Sequence, residues 1–102
     1  MLSSLEILQS IEKNKTKINP LGVSKVGLFG SYAKNSANSK SDIDLYVEFK
    51  NESENFDNFI NLCFLFDELF IGKKVEVVTK GSISKYLEPY ILPTIKYAKL
   101  TD

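Results

Sequence analysis

The stretch GLFGSYAKNSANSKSDIDLYVEF, residues 27–49, decides how this chain is read. It continues a short β-type run, KVGLFG at 25–30, that breaks at Gly30-Ser31 into a helical turn. Such a junction presents free backbone N–H groups, and glycine lets a ligand approach closely. The Ser31 hydroxyl adds a donor, so the turn suits a phosphate. Residues 32–41 are small and polar and predict one helical turn followed by a loop. Residues 42–49 alternate strictly: Asp42, Asp44, Tyr46 and Glu48 take one face, and Ile43, Leu45, Val47 and Phe49 take the other. The carboxylates of Asp42 and Asp44 therefore converge. Two such acids repel and raise one pKa, a cost that a divalent cation removes. A phosphate cradle followed by paired acids is the anatomy of metal-assisted phosphoryl or nucleotidyl transfer. Alone, Gly-Ser after a strand is an ordinary turn and two strand acids are an ordinary solvated face. Their conjunction on strand, turn and strand carries the argument.

Working outward, Ser3 and Glu6 form a capping-box pattern that opens a predicted helix over 3–18. Its apolar stripe is read as Leu5, Leu8 and Ile11 with Ile7 alongside, and Pro20-Leu21-Gly22 stops it. Asn55 caps a second predicted helix over 56–71, which Gly72 ends. That helix is apolar around more than two-thirds of its circumference. This leaves two readings open: burial between sheet and helix, or an exposed strip that binds a partner or a second copy. Cys63 on it reads as a small core residue. KKVEVVT at 73–79 predicts a third strand, with Glu76 opposite Val75 and Val77 as a third carboxylate. Tyr46 reads as a surface side chain. Residues 83–100 read as a C-terminal helical region split or kinked by Pro89 and Pro93. The expected fold class is α/β (α+β), a small mixed β-sheet with helices packed on one face.

Composition narrows the chemistry. The chain has 102 residues, a length that predicts a single domain over 1–102. There is no His, so zinc-histidine sites, Ser-His-Asp and Cys-His mechanisms are excluded. Any metal must be held by oxygen, which favours Mg²⁺, Mn²⁺ or Ca²⁺. Thirteen basic residues, all Lys, balance thirteen acids, so there is no global basic field and no direct nucleic-acid binding is expected. A single cysteine excludes an internal disulfide. No apolar run approaches a membrane span and the N-terminus lacks the pattern of a secretory signal, so the expectation is a cytoplasmic protein without membrane contact.

The block G-S-x10-D-x-D on these elements resembles the minimal nucleotidyltransferase family of the polymerase-beta-like superfamily. The resemblance runs over nearly the whole chain, with KKVEVVT similar to the later strand and ILPTIKYAKL to a terminal helix. It implies the nucleotidyltransferase fold, Asp42, Asp44 and Glu76 as catalytic residues and Mg²⁺ ligands (two ions), and Gly30-Ser31 as the triphosphate grip. Lys34 and Lys40 in the same loop would offset triphosphate charge. It further implies AMP transfer from ATP with release of pyrophosphate. The implied partner is a HEPN-type ribonuclease toxin, neutralised by this chain as antitoxin. A binding module acting by complex formation and a small-molecule nucleotidyltransferase are the alternatives, and homo-oligomerisation is left open. The chain departs from the family pattern twice: Lys34-Asn35 stands where Arg-Gly is frequent, and Glu76 where Asp is usual.

Overall fold

The structure, a computed structural model, describes residues 2–101. Its elements are α1 (Ser4–Lys13), α2 (Lys15–Ile18), β1 (Val23–Phe29), α3 (Gly30–Ala33), β2 (Ile43–Phe49), α4 (Phe56–Leu69), β3 (Val75–Thr79), α5 (Glu88–Ile91) and β4 (Lys96–Tyr97). The predicted capping box is formed: the Glu6 amide donates to Ser3 Oγ at 3.1 Å, and the Ser3 amide donates to Glu6 Oε1 at 3.0 Å. At Asn14 the helix breaks, and the Asn14 side-chain amide donates to the Ser10 carbonyl at 2.8 Å. The buried stripe differs from the sequence reading. Ile7, Ile11 and Ile18 are buried, whereas Leu5 is 62% exposed. Which apolar side chains face inward depends on how the helix meets the sheet, and that orientation is a tertiary property.

The strands form one four-stranded sheet in the order β3-β2-β1-β4. β1 pairs antiparallel with β2 and with β4, while β3 runs parallel to β2. A parallel neighbour requires a crossover, and α4 supplies it. Val26 and Leu28 of β1 and Ile43, Leu45 and Val47 of β2 project to one side of the sheet. There they join Ile7 and Ile11 of α1 and Leu62 and Phe66 of α4 in one buried cluster. Each such side chain contributes about 1.5–3 kcal/mol by leaving water. The alternation therefore drives α1 and α4 onto one face and reserves the other for Asp44, Tyr46, Glu48 and Glu76. Of the two readings of the apolar helix, neither full burial nor a wholly free strip holds. α4 buries Leu62 and Phe66 and leaves Phe56 and Phe64 in solvent. No helix of the described residues is long and apolar enough to cross a membrane.

The C-terminal region corrects two expectations. Residues 83–100 do not form a helix. α5 is a single turn beginning at Glu88-Pro89, a 3₁₀ turn over Leu92–Thr94 carries Pro93, and the chain then becomes strand β4. Each proline sits at the start of its turn, where its missing N–H is tolerated, and neither turn propagates. The Ala98 amide then donates to the Val26 carbonyl at 2.9 Å, which ties the segment to β1. Tyr46 is not a surface residue: it is 2% exposed, beneath this C-terminal segment. Its ring meets Tyr97 edge-on with centroids 6.3 Å apart, and its hydroxyl donates to Glu48 Oε2 at 2.6 Å.

Gly27 is where β4 crosses closest to β1. A methyl group there would overlap the Ile95 side chain and crowd Tyr97. Gly27→Ala is therefore expected to destabilise the protein by about 1–3 kcal/mol through overpacking. Urea denaturation measures this, and an unchanged midpoint would show that β4 is not seated on β1 as described.

Candidate active site

β1 ends at Phe29, whose register partner on β2 is Asp44. The chain then turns through Gly30 with φ +74° and enters α3. A side chain at Gly30 is excluded twice. Its φ lies in the left-handed region, and a Cβ would overlap the Asp44 carboxylate. The backbone of the turn is thus packed directly against the first strand acid. The loop after α3 is held by its own polar groups. The Ser36 amide donates to the Ser31 carbonyl at 2.9 Å, the Asn38 amide to Ser41 Oγ at 2.9 Å, and the Lys40 amide to Asn38 Oδ1 at 2.8 Å. Asn35 takes φ +58°. This is the departure from Gly noted above, and Asn is among the few side chains that tolerate the left-handed region. The substitution therefore keeps the backbone path.

On the other side of β2, the parallel register sets Glu76 opposite Asp44. Glu76 reaches the acid face, as period two requires. Its charge bears on the Asp44 carboxylate, and so, more weakly, does that of Asp42. Partial burial, then the charges of Glu76 and Asp42, push the Asp44 carboxyl up from its ordinary 3.8 to about 6. The sequence reading expected one raised carboxylate from the Asp42/Asp44 pair. The structure places it at Asp44, with burial and Glu76 as larger causes than Asp42. Lys74 forms an ion pair with Glu76 at 3.3 Å, a neighbour the sequence reading missed although its i, i+2 spacing on the strand was visible. Both partners are exposed, so this pair contributes little stability.

The structure thus brings Gly30, Asp44 and Glu76 into contact, with Asp42 close by and Ser31 in the adjoining turn. Lys34 and Lys40 stand exposed on the loop that joins the turn to the acids. Among the described residues, no group of three His, Cys, Asp or Glu side chains is placed as it stands to hold a metal ion. The acids form an open set in which Glu76 and Asp42 both act on Asp44 through charge. The donor chemistry nevertheless fits a hard divalent cation: all the donors are carboxylate oxygens, and the partly buried Asp44 has two further acids near it.

A mixed sheet with helices on one face, and a glycine turn packed on strand acids on the other, defines a nucleotidyltransferase. Residues 6–100 match the family model described as the nucleotidyltransferase domain, and the chain belongs to that family. It is 38% identical over 87 residues to a candidate protein adenylyltransferase of Methanocaldococcus jannaschii, an alignment covering 81% of this chain and 91% of the relative. It is 31% identical over 98 residues to the protein adenylyltransferase MntA of Thermococcus cleftensis, covering 95% of this chain and 97% of that one. Its fold is similar to a solved candidate minimal nucleotidyltransferase (TM-score 0.69, 22% identity, 87% of this chain and 93% of that one). It is also similar to a chain of a toxin–antitoxin structure solved with AMP-PNP (TM-score 0.62, 23% identity, 87% of this chain and 75% of that one). At those identities the two structural likenesses concern the fold.

The raised Asp44 carboxyl has a consequence for stability. Its folded pKa of about 6 lies above the ordinary 3.8, so the folded state holds the proton more tightly. The ionisation penalty is absent below about pH 4, grows between pH 4 and 6, and is constant above. Asp44→Asn is therefore expected to be more stable than the parent protein above pH 6, by on the order of 1 kcal/mol after discounting for solvent exposure. That advantage should vanish by pH 4. Thermal melts of both proteins in metal-free buffer across this range check it; a gap independent of pH would remove the assigned cause.

Proposed function

We propose that this protein transfers AMP from ATP to a hydroxyl on a partner protein, releasing pyrophosphate, and that it acts as the antitoxin of a HEPN-type toxin. The observation that carries the reading is the convergence of Gly30, Asp44 and Glu76. Supporting it are relatives named for protein adenylyltransfer and a structural neighbour solved as a toxin–antitoxin with AMP-PNP. In this reading the Gly30-Ser31 turn receives the triphosphate through backbone N–H groups and the Ser31 hydroxyl. Lys34 and Lys40 balance its charge from the loop. Asp42, Asp44 and Glu76 would hold Mg²⁺, which when bound neutralises charge on the α-phosphate and acidifies the acceptor hydroxyl. The acceptor oxygen forms a bond to the α-phosphorus, the bridging bond to the β-phosphate breaks, and pyrophosphate leaves. Glu76 takes the proton of the acceptor hydroxyl. As a reading of its whole extent, the chain acts as a single catalytic domain in the cytoplasm.

The test is incubation with α-labelled ATP, MgCl₂ and the protein that co-purifies with this chain. Label on the partner supports transfer. A tight complex without label would support the binding-module reading instead. Asp42→Asn and Asp44→Asn are each expected to lower labelling by more than about 100-fold while leaving the fold intact, since two charged ligands of one site are being neutralised in turn.

Glu76 discriminates further. Its side chain is one methylene longer than the usual Asp, and its ion pair with Lys74 draws on the same carboxylate. Glu76→Asp is expected to match or exceed the parent rate by up to about 10-fold, equivalent to about 1.4 kcal/mol of barrier. Glu76→Gln is expected to lose nearly all transfer. Steady-state labelling rates decide it: full activity in Glu76→Gln would leave the catalytic assignment to Asp42 and Asp44.

A further inference from the structure

The turn that follows α4 reaches the loop of the candidate site from outside it. Gly72, at φ +85°, follows the helix, and the Lys73 amide donates to the Phe70 carbonyl at 3.0 Å. These features fix the backbone from which the Lys73 side chain projects. Its ammonium donates to the Ser39 carbonyl at 3.2 Å and lies 5.5 Å from the centre of the Tyr32 ring. The next residue acts through its backbone: the Lys74 carbonyl accepts from the Ile43 amide at 2.9 Å. Two consecutive residues thus hold the segment 32–43 at its start, its middle and its end.

Each of those points adjoins a residue of the site. Tyr32 follows Ser31, Ser39 precedes Lys40, and Ile43 lies between Asp42 and Asp44. The loop's own bonds are short in range: the Ser36 amide returns to Ser31, and the Asn38 and Lys40 amides bond within 38–41. Bonds of that kind shape a loop without fixing where it sits on the rest of the molecule. The bond from Lys73 spans 34 residues of chain and does fix it. Lys73, Tyr32 and Ser39 all border one cavity of about 580 Å³, so a polar tether rather than close packing holds the loop there. A charge-assisted hydrogen bond and a cation over an aromatic face are suited to that task.

We propose that Lys73 is a positioning residue of the nucleotide site. Through the Ser39 carbonyl and the Tyr32 ring it holds the Gly30-Ser31 turn and the loop bearing Lys40 at the spacing a triphosphate requires. It acts through the loop and not on the phosphates. The inference rests on the proposed function, in which this turn and loop receive ATP, and adds to it a residue on a separate element.

The test compares the parent with Lys73→Met, which keeps the length of the side chain and removes the cation, and with Lys73→Arg, which keeps a cationic donor that stacks on a ring. Lys80→Met, at an exposed position, controls for loss of one positive charge. Hydrogen exchange of the nucleotide-free proteins is read first. Amides of residues 36–41 are expected to exchange about 10-fold faster in Lys73→Met, with those of β1 unchanged, because the loop opens without its tether. Affinity for the fluorescent analogue mant-ATP with MgCl₂ is expected to fall about 5-fold. In the labelling assay KM for ATP should rise by a similar factor while kcat stays within about 2-fold, the pattern of lost ground-state positioning. Lys73→Arg and Lys80→Met should match the parent in all three. Unchanged loop exchange in Lys73→Met overturns the inference, as does unchanged mant-ATP affinity or failure of Lys73→Arg to restore it. A parent that labels no partner, with loop exchange and mant-ATP affinity still dependent on Lys73, would count against AMP transfer and leave the tether standing.

Discussion

The contact between the Gly30 backbone and the Asp44 carboxylate is the constraint on which the rest of the site depends. It requires that β1 end at Phe29, that β2 bring Asp44 opposite that residue, and that no side chain intervene. A slip of one residue in the β1–β2 register would send Asp44 into the apolar cluster and Ile43 or Leu45 to the acid face. The same alternation that buries Ile43, Leu45 and Val47 therefore aims Asp44 at the opposite face. Core and site are two sides of one register, and the hydrophobic term fixes both.

That arrangement gathers like charge on the open side. Asp44 stands near Glu76 and Asp42, and its partial burial first, then their like charge, raises its carboxyl above the ordinary range. Lys74 offsets part of this at Glu76, but in solvent the pair is weak. The favourable energy is on the helix side, where α1, α4 and the two central strands share one cluster. The chain accepts a locally unfavourable set of carboxylates because burial elsewhere holds the strands in place. Such separation of stabilising and reactive faces is common where a binding site requires unneutralised charge.

Much of this was legible in the sequence. Strict alternation over 42–49 identified β2 and its two faces, Ser3 with Glu6 identified the start of α1, and Asn55 that of α4. Gly30-Ser31, Asp42 and Asp44 stand out by their spacing and Glu76 by its alternation with Val75 and Val77, and the structure sets Gly30 and Glu76 beside Asp44. What stayed hidden depended on long-range partners. Whether Leu5 or Ile7 faced inward turned on how α1 meets the sheet. The burial of Tyr46 has no local signal, because the segment that covers it lies some 50 residues away in the chain and its sequence pattern predicts a helix. The left-handed turn at Asn35 had no signature beyond the residue type itself, and only the observed φ explains why Asn can stand where Gly is frequent.

The C-terminal segment gives the acid face its final division. Prolines 89 and 93 keep it from becoming a helix, so it crosses the sheet as short turns and reaches β1 as a strand. Burial with the Glu48 hydrogen bond pushes the Tyr46 phenol well above its usual range. Tyr46 and Tyr97 are thereby held neutral and packed, with Lys25 over the Tyr97 ring at 5.6 Å. One half of the face is closed by aromatic packing, and the half bearing Asp44 and Glu76 is left open. Gly27 on β1 and Gly30 just beyond its end mark these two halves: the first admits Ile95 of the covering segment, and the second admits the Asp44 carboxylate. A helix at the C-terminus would have had no edge with which to pair β1. The prolines that ruin the helix are therefore what allow the sheet to carry both a cover and a site on one face.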